Sequence, residues 1–331
     1  MAHILIVGAG LAGVLAAHEL LGAGHEVTVV DKGHAPGGRL ATRTVGDATF
    51  DHGAQFFTVR SDRFAGHVAA WSEAGVARRW FHGSPDRDTP EDPDGHPRYR
   101  GTPTMRSIAE HLASQLPVRL STLVRRVEAT GSGWRLAVAH RDAPTVTTDL
   151  VSGDGLLLTP PVPQSLALLR AGDVPLTPEH DRRLGSMVYD PCLSVLAVPD
   201  DPPTLPARGA MRIPDGDVTF LTDNLVTGAS PSPAVTIHAG AAFSRRYLDA
   251  SDDEIAQRLL ALASPILGTT SRPVHVHRWR YSAPHDDGGA PCVLDRSTGA
   301  PLAFAGDAFA GGRVEGAATS GLVAADELMQ V

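Results

Sequence analysis

Residues 4 to 39, ILIVGAGLAGVLAAHELLGAGHEVTVVDKGHAPGGR, constrain what this chain can fold into more than any other stretch. Ile4 to Val7 are apolar without alternation, as in a strand buried on both faces, and run directly into Gly8-x-Gly10-x-x-Gly13. Gly8 permits a tight turn, Gly10 lets the backbone approach a pyrophosphate with no Cβ in the way, and Gly13 lets the following helix lie close on the sheet. The pyrophosphate then meets the unpaired N–H groups of the helix start. Ala17, Leu20, Gly24 and Val27 fall where a helix returning to a strand needs small or apolar residues. Asp31 closes the second strand, where a carboxylate accepts from a ribose 2′-hydroxyl. The stretch predicts a βαβ unit that binds a dinucleotide.

Length and charge narrow the surroundings of this unit. A chain of 331 residues has room for two domains, or for one enlarged by an insertion. With 29 basic and 37 acidic residues the net charge is −8, which argues against a nucleic-acid surface and against a general pull toward anionic membranes. Cys192 and Cys292 make neither a CxxC nor a metal-ligand spacing, so no metal is expected. The N-terminal apolar run is too short and lacks the basic flank of a signal peptide, and no run reaches membrane-spanning length. The expectation is a cytoplasmic protein with two reduced thiols. Lys32 is its only lysine, leaving 28 arginines.

Further along, residues 64 to 80 show helical spacing at Phe64, Val68, Trp71 and Val76. His82 to Gly101, rich in proline and aspartate, reads as a solvated loop. Its Asp92-x-Asp94-Gly95 lacks the later carboxylate of a calcium loop. A helix follows in GTPTMRSIAEHLASQL, then strands at Val118 to Ala129 and Trp134 to Ala139. Gly155 to Pro161 reads as a buried strand returning to the first sheet. Strand-like runs at Leu193 to Val198, Val218 to Leu221, Val235 to Ala239 and Val274 to Tyr281 predict an antiparallel sheet. Ser251 and Glu254 form a capping box ahead of a helix.

The chain ends in PLAFAGDAFAGGRVEGAATSGLVAADEL, a second glycine-rich passage from strand to helix. Leu302 to Ala305 is a short buried strand, Gly306-Asp307 follows at its C-terminal edge, and a helix begins near Val314 to Gly316. Two such junctions some 300 residues apart suit one long ligand, and FAD is such a ligand. The unpaired N–H groups around Glu315, Gly316 and Ala317 would favour negative charge on a flavin N1/O2 edge. Gly37-Gly38-Arg39 and this ending resemble the FAD-binding half of glutathione-reductase-like flavoproteins and the monoamine-oxidase-like superfamily. That resemblance implies an α/β fold: a Rossmann-type FAD-binding domain (1–60, 101–162 and 290–331) with an inserted α+β substrate domain (61–100 and 163–289) on an antiparallel sheet. It implies non-covalent FAD, with Gly8, Gly10, Gly13 and Asp31 as above and Arg39 beside the phosphates. Lys32, Gly38 and Gln55 belong to the same cofactor set, with Val127 at the adenine and Asp307 at the ribityl chain.

The strings DKGHAPGGRLATR, FDHGAQFFTVR, HRWRYS and FAGDAFAGGRVEGAATSG further resemble the renalases, particularly their short bacterial form. This implies an oxidase that takes hydride from 2- and 6-dihydroNAD(P) to FAD and passes electrons to O2, giving NAD(P)+ and H2O2. Restoring an aromatic pyridinium needs no proton abstraction, so placement carries the catalysis. A strand over VHVHRWRY puts His275, His277, Trp279 and Tyr281 on one face. By resemblance Phe56 lies against the flavin, Asn224 near the nicotinamide carboxamide and Trp279 in the pocket. Arg43, Arg60 and Arg280 are candidates for substrate phosphates but equally for solvated positions. The alternative is an amine oxidase or desaturase-type enzyme of the same fold; many amine oxidases place a lysine near flavin N5, whereas Lys32 lies in the adenosine region. A flavin-binding protein without turnover is the remaining alternative.

Overall fold

The computed structural model describes residues 1–83, 96–285 and 288–330. The chain divides into two compact units, each discontinuous in sequence: Met1–Gly38, Ala109–Val188 and Pro284–Val331 form the first, Arg39–Ile108 and Tyr189–Ala283 the second.

The first unit is built on a six-stranded sheet in the order Val293–Asp295, Leu302–Phe304, Gly155–Leu158, His3–Val7, Glu26–Val30, Val118–Arg119. All but the first of these strands run parallel. The unbroken apolar runs are explained by this position: Ile4, Leu5, Ile6, Leu156, Leu157, Ala303 and Phe304 are all buried in the sheet. Gly155–Leu158 returns to the first sheet beside His3–Val7, as expected. Helix Leu11–Gly22 and the final helix Arg313–Met329 pack backbone to backbone. A Cβ on Gly321 would come within 2.3 Å of the Ala12 carbonyl oxygen. A separate antiparallel sheet, Thr122–Ala129, Trp134–His140 and Asp149–Gly153, completes the unit.

The second unit is organised on a five-stranded sheet, in the order Ala210–Arg212, Val218–Asp223, Val235–Ala239, Tyr189–Pro199, Ser271–Pro284. Its first four strands pair antiparallel. Alternation sorts its side chains. Leu193, Val195, Leu221, Val235 and Ile237 face helix Asp252–Leu267, with its buried Ile255, Leu259 and Ala263. That helix starts as expected, the Ser251 hydroxyl accepting from the Glu254 N–H at 3.2 Å, and it ends at Gly268 with φ +69°. The strand pair Thr42–Val45 and Ala48–Asp51 packs through Ala48 and Phe50 against Leu196 and Ala234.

The architecture is the expected one, an α/β Rossmann-type domain with an inserted antiparallel-sheet domain. Several details differ. The helix expected over 64 to 80 is Asp62–Glu73; Gly75, at φ +73°, ends it, and Ala77–His82 continues as a strand. The last five residues of the expected loop are a strand as well, Pro97–Gly101, paired antiparallel with Ala77–His82. Asp92-x-Asp94-Gly95 lies outside the described residues. Residues 39–60 and 101–108 cluster with the second unit and 163–188 with the first, because Thr42–Asp51 packs on the five-stranded sheet and Val162–Arg170 on Thr122–Ala129. Among the described residues no helix is long and apolar enough to cross a membrane, and no group of three or more His, Cys, Asp and Glu is placed to hold a metal ion.

Candidate active site

In the first unit both glycine junctions lie at the same edge of the sheet, at the C-terminal ends of His3–Val7 and Leu302–Phe304, with only Gly155–Leu158 between them. Gly8 adopts φ +106°, and a Cβ on Gly13 would come within 2.0 Å of the Gly8 carbonyl oxygen. Above Gly10 the space is open, with no atom within 4 Å of a Cβ position. Gly37 bridges to Gly10, its N–H donating to the Ala9 carbonyl at 2.8 Å, and Gly38 lies over Gly10. The Asp31 carboxylate accepts from the Ala9 N–H at 2.6 Å and the Gly33 N–H at 2.5 Å. Two backbone bonds pin it there and leave lone pairs for a ribose hydroxyl.

The other cofactor candidates of this unit are distributed around the sheet. Lys32 is exposed, with Nζ 3.4 Å from Gln164 Oε1. Val127 is buried in the three-stranded sheet, close against Gly172. Gly306, at φ +148°, donates to the Ser320 hydroxyl at 2.9 Å, and Asp307 next to it is buried. Glu315, Gly316 and Ala317 form the first turn of Arg313–Met329. An open glycine turn, a pinned carboxylate and a second helix start on the same sheet edge fit a flavin dinucleotide.

The second unit gathers its candidates around the string Asp51-His52-Gly53-Ala54-Gln55. Asp51 is fully buried and ion-paired to Arg100 at 2.9 Å, while also accepting from the Thr42 hydroxyl and the Met105 N–H. Burial pushes the Asp51 carboxyl up and the Arg100 guanidinium down, but arginine does not lose its proton in a protein and the pair is ionic. Asn224 Oδ1 accepts from the Asp51 N–H at 3.1 Å, and its Nδ2 donates to Thr236 and Ala234. Gln55 Nε2 donates to the Asp51 and Gly53 carbonyls. These amides are therefore engaged in fixing the loop. Arg39 Nη1 donates to the Tyr281 carbonyl at 3.1 Å.

The same loop presents a layer of rings. The His52 carbonyl accepts from Trp279 Nε1 at 2.8 Å and sits 3.1 Å from His238 Nε2, while the His52 ring stacks on Trp279 with centroids 5.3 Å apart. His277 lies 4.2 Å from Trp279 and His275 6.1 Å from His277, as the strand alternation predicts. Phe220 links this group to Phe56, standing 6.4 Å from His238 and 5.9 Å from Phe56. Desolvation is the main reason that His52 is held down to about 2 and His238 and His277 to about 4, with neighbouring positive charge, Arg43 included, adding to it at His52 and His277. The layer is neutral at physiological pH. Trp279 thus belongs to a ring cluster with His52 and His277, Phe56 to a neighbouring group with Phe81 and Phe220, and Asn224 holds the backbone of Asp51 beside His52.

His52, His238 and Arg100 were not singled out from the sequence. His52 lies within FDHGAQFFTVR, and His238 sits on the same sheet face as Thr236; Arg100 falls in a run whose composition reads as loop, so its inward turn has no local signal.

Comparison with known proteins agrees with the fold. Residues 6–72 match the NAD(P)-binding Rossmann-like domain and residues 82–329, about three quarters of the chain, match the flavin containing amine oxidoreductase family. A phytoene dehydrogenase of Streptomyces griseus is 47% identical over 57 residues, covering 17% of this chain and 11% of that protein. An L-amino-acid oxidase of Daboia russelii is 58% identical over 40 residues, covering 12% of this chain and 8% of that protein. The chain thus matches about a tenth of the length of these curated relatives. Over nearly its whole length it superimposes on a putrescine oxidase variant (TM-score 0.71, 16% identity, 100% of this chain and 99% of the other). The same holds for a fatty acid isomerase from P. acnes (TM-score 0.70, 13% identity, 99% and 98%). The expected FAD cofactor and oxidoreductase class agree with these matches, and the chain belongs to the flavin-containing amine oxidoreductase family.

Proposed function

We propose that the chain is a FAD-dependent oxidase of a carbon–hydrogen bond next to nitrogen. Its donor is a misreduced nicotinamide ring: 2- or 6-dihydroNAD(P) is converted to NAD(P)+, with O2 as final acceptor and H2O2 as product. In both isomers the hydride-bearing carbon is bonded to the ring nitrogen, so the reaction is the ring counterpart of amine oxidation. Family membership supports amine oxidation itself more directly than the ring substrate, and it is the second reading. The observation that supports the ring substrate is the uncharged cluster of Trp279, His52 and His277, in which the His52 ring stacks on the half-buried Trp279 indole at 5.3 Å, an aromatic group of the kind a planar donor packs against.

Bound FAD supplies the hydride acceptor. Gly8, Gly10 and Gly13 would receive the pyrophosphate, Asp31 the adenosine ribose and Val127 the adenine, with Lys32 and Gly38 in the same unit; Arg39 and Gln55 are carried as cofactor residues by the resemblance alone. Gly306, Asp307 and the helix start at Glu315, Gly316 and Ala317 serve the ribityl and pyrimidine end. Trp279 and Phe56 orient the donor, and Asn224 acts by holding the loop that carries His52. No side chain need take a proton, because hydride loss leaves an aromatic cation; the residues contribute placement.

Anaerobic mixing of the FAD-loaded protein with 6-dihydroNAD should bleach the flavin far faster than mixing with 4-dihydro NADH, a polyamine or an L-amino acid. Faster bleaching by an amine or amino acid moves the assignment to amine oxidation, and no bleaching by any donor rejects an oxidase.

A further inference from the structure

The stack of His52 on Trp279 requires two separate segments of the second unit to be held in register, the turn after strand Ala48–Asp51 and the strand Ser271–Pro284. That strand is the outer one of the five-stranded sheet, so the sheet itself pairs only one of its flanks. Arg39 bonds to both segments. Its carbonyl oxygen accepts from the Ala54 N–H at 2.9 Å, just past His52, and a Cβ on Gly53 would lie 2.0 Å from that same oxygen, so the close approach depends on glycine there. Its half-buried side chain reaches the other way. Nη1 donates to the Tyr281 carbonyl at 3.1 Å and to the Ser282 carbonyl at 3.4 Å, just past Trp279. The bond from Trp279 Nε1 to the His52 carbonyl, at 2.8 Å, closes the circuit. Because the guanidinium is charged and planar, its bonds to carbonyls are stronger and more strictly directed than those of a neutral donor.

We infer that Arg39 is a positioning residue of the donor site: it holds the strand that carries Trp279 against the turn that carries His52, and so sets the aromatic pair on which the donor packs. The role that resemblance gives Arg39, beside the FAD phosphates, calls for a guanidinium directed at the cofactor, whereas Nη1 is directed at the strand. The two roles separate in measurement. A phosphate-binding arginine governs cofactor affinity; an arginine that fixes Trp279 governs the environment of that indole and the step in which the donor is oriented. Its effect on turnover rests on the reading that Trp279 orients the donor, and the bonds themselves do not.

The test uses the FAD-loaded protein labelled with 5-fluorotryptophan, as wild type, Arg39→Lys and Arg39→Gln, each compared with wild type at the same FAD occupancy. The chain has four tryptophans, and Trp279→Phe assigns the Trp279 fluorine resonance. In Arg39→Gln that resonance should shift or broaden while those of Trp71, Trp80 and Trp134 stay in place. Arg39→Lys, which keeps the charge but donates from a single point, should move it the same way by less. Flavin reduction by saturating 6-dihydroNAD should slow roughly tenfold or more in Arg39→Gln, the worth of a hydrogen bond from a charged group, while reoxidation of the reduced flavin by O2 keeps its wild-type rate. If no donor reduces the wild type, the functional reading falls and the fluorine spectrum alone decides the role of Arg39. Should Arg39→Gln fail to fold, the same resonance in Arg39→Lys decides it. A Trp279 resonance left in place, with or without a loss of FAD affinity, overturns the inference, as does an equal shift of all four resonances.

Discussion

Asp51 shows how much a single residue of this chain carries. Its carboxylate is paired with Arg100 at 2.9 Å, both side chains being at most 2% exposed, and Thr42 and the Met105 N–H complete its bonding. Its own backbone is held by Asn224, Gln55 and Thr236, so the charge sits at the root of the loop that positions His52. Replacing both ions by apolar groups can be harmless, but removing one leaves the other buried and uncompensated. Asp51→Asn should therefore lower unfolding stability by about 3 to 5 kcal/mol, read as the midpoint shift in urea at constant slope. A loss below about 1 kcal/mol would mean that Arg100 finds solvent when its partner is gone. The sequence displayed FDHGAQFF as a landmark without showing what it does, because Arg100 stands 49 residues away in a run of charged and proline residues. Trp279 and His277 were legible, since strand alternation alone puts them on one face.

Among the elements, those stabilised by apolar burial could be read locally and those stabilised by pairing could not. Ile4–Val7 and Leu156–Leu158 are apolar because both sheet faces are covered, and that signal survives without any partner in view. Ala77–His82 and Pro97–Gly101 contain Arg78, Arg79, Arg98 and Arg100 and resemble solvated chain. They become a hairpin because Arg78 and Arg100 donate to the Thr227 carbonyl and Trp80 Nε1 to that of Arg208. The two helices at the glycine junctions make the element scale testable. Gly321 meets the Ala12 carbonyl so closely that any Cβ forces them apart. Gly321→Ala should cost about 1 to 3 kcal/mol through overpacking and speed FAD release, since both helix starts shift. Gly22→Ala, at a site with nothing within 4 Å, should leave FAD release unchanged in stopped-flow fluorescence. Equal behaviour of the two variants would show that the close crossing is not what fixes the junctions.

Over the whole molecule, the histidines of the second unit tie stability to pH. His238 and His277 are held down to about 4 and His52 to about 2, against an ordinary value near 6.5. The sign follows from proton uptake: below pH 6.5 the unfolded chain protonates these imidazoles while the folded chain does not, so stability is full above 6.5 and falls as the pH drops. For His238 and His277 the fall ends near pH 4, where the folded state also takes the proton; for His52 it continues lower. Each contributes a slope of up to about 1.4 kcal/mol per pH unit inside its window. Asp295 does not confuse this range. Its hydrogen bonds from Ser297, the Thr177 N–H and His180 outweigh burial and hold it well below the usual carboxylate range, so its own contribution is lost only in stronger acid. Urea midpoints of the FAD-loaded protein should accordingly drop steeply between pH 6.5 and 4.5. His277→Phe, which keeps a ring beside Trp279 but removes one titrating group, should flatten the drop by up to one proton's slope. A midpoint independent of pH over this interval would mean that the imidazoles reach solvent in the folded protein, and the ring layer would then not be the dry, uncharged surface on which a planar donor is positioned.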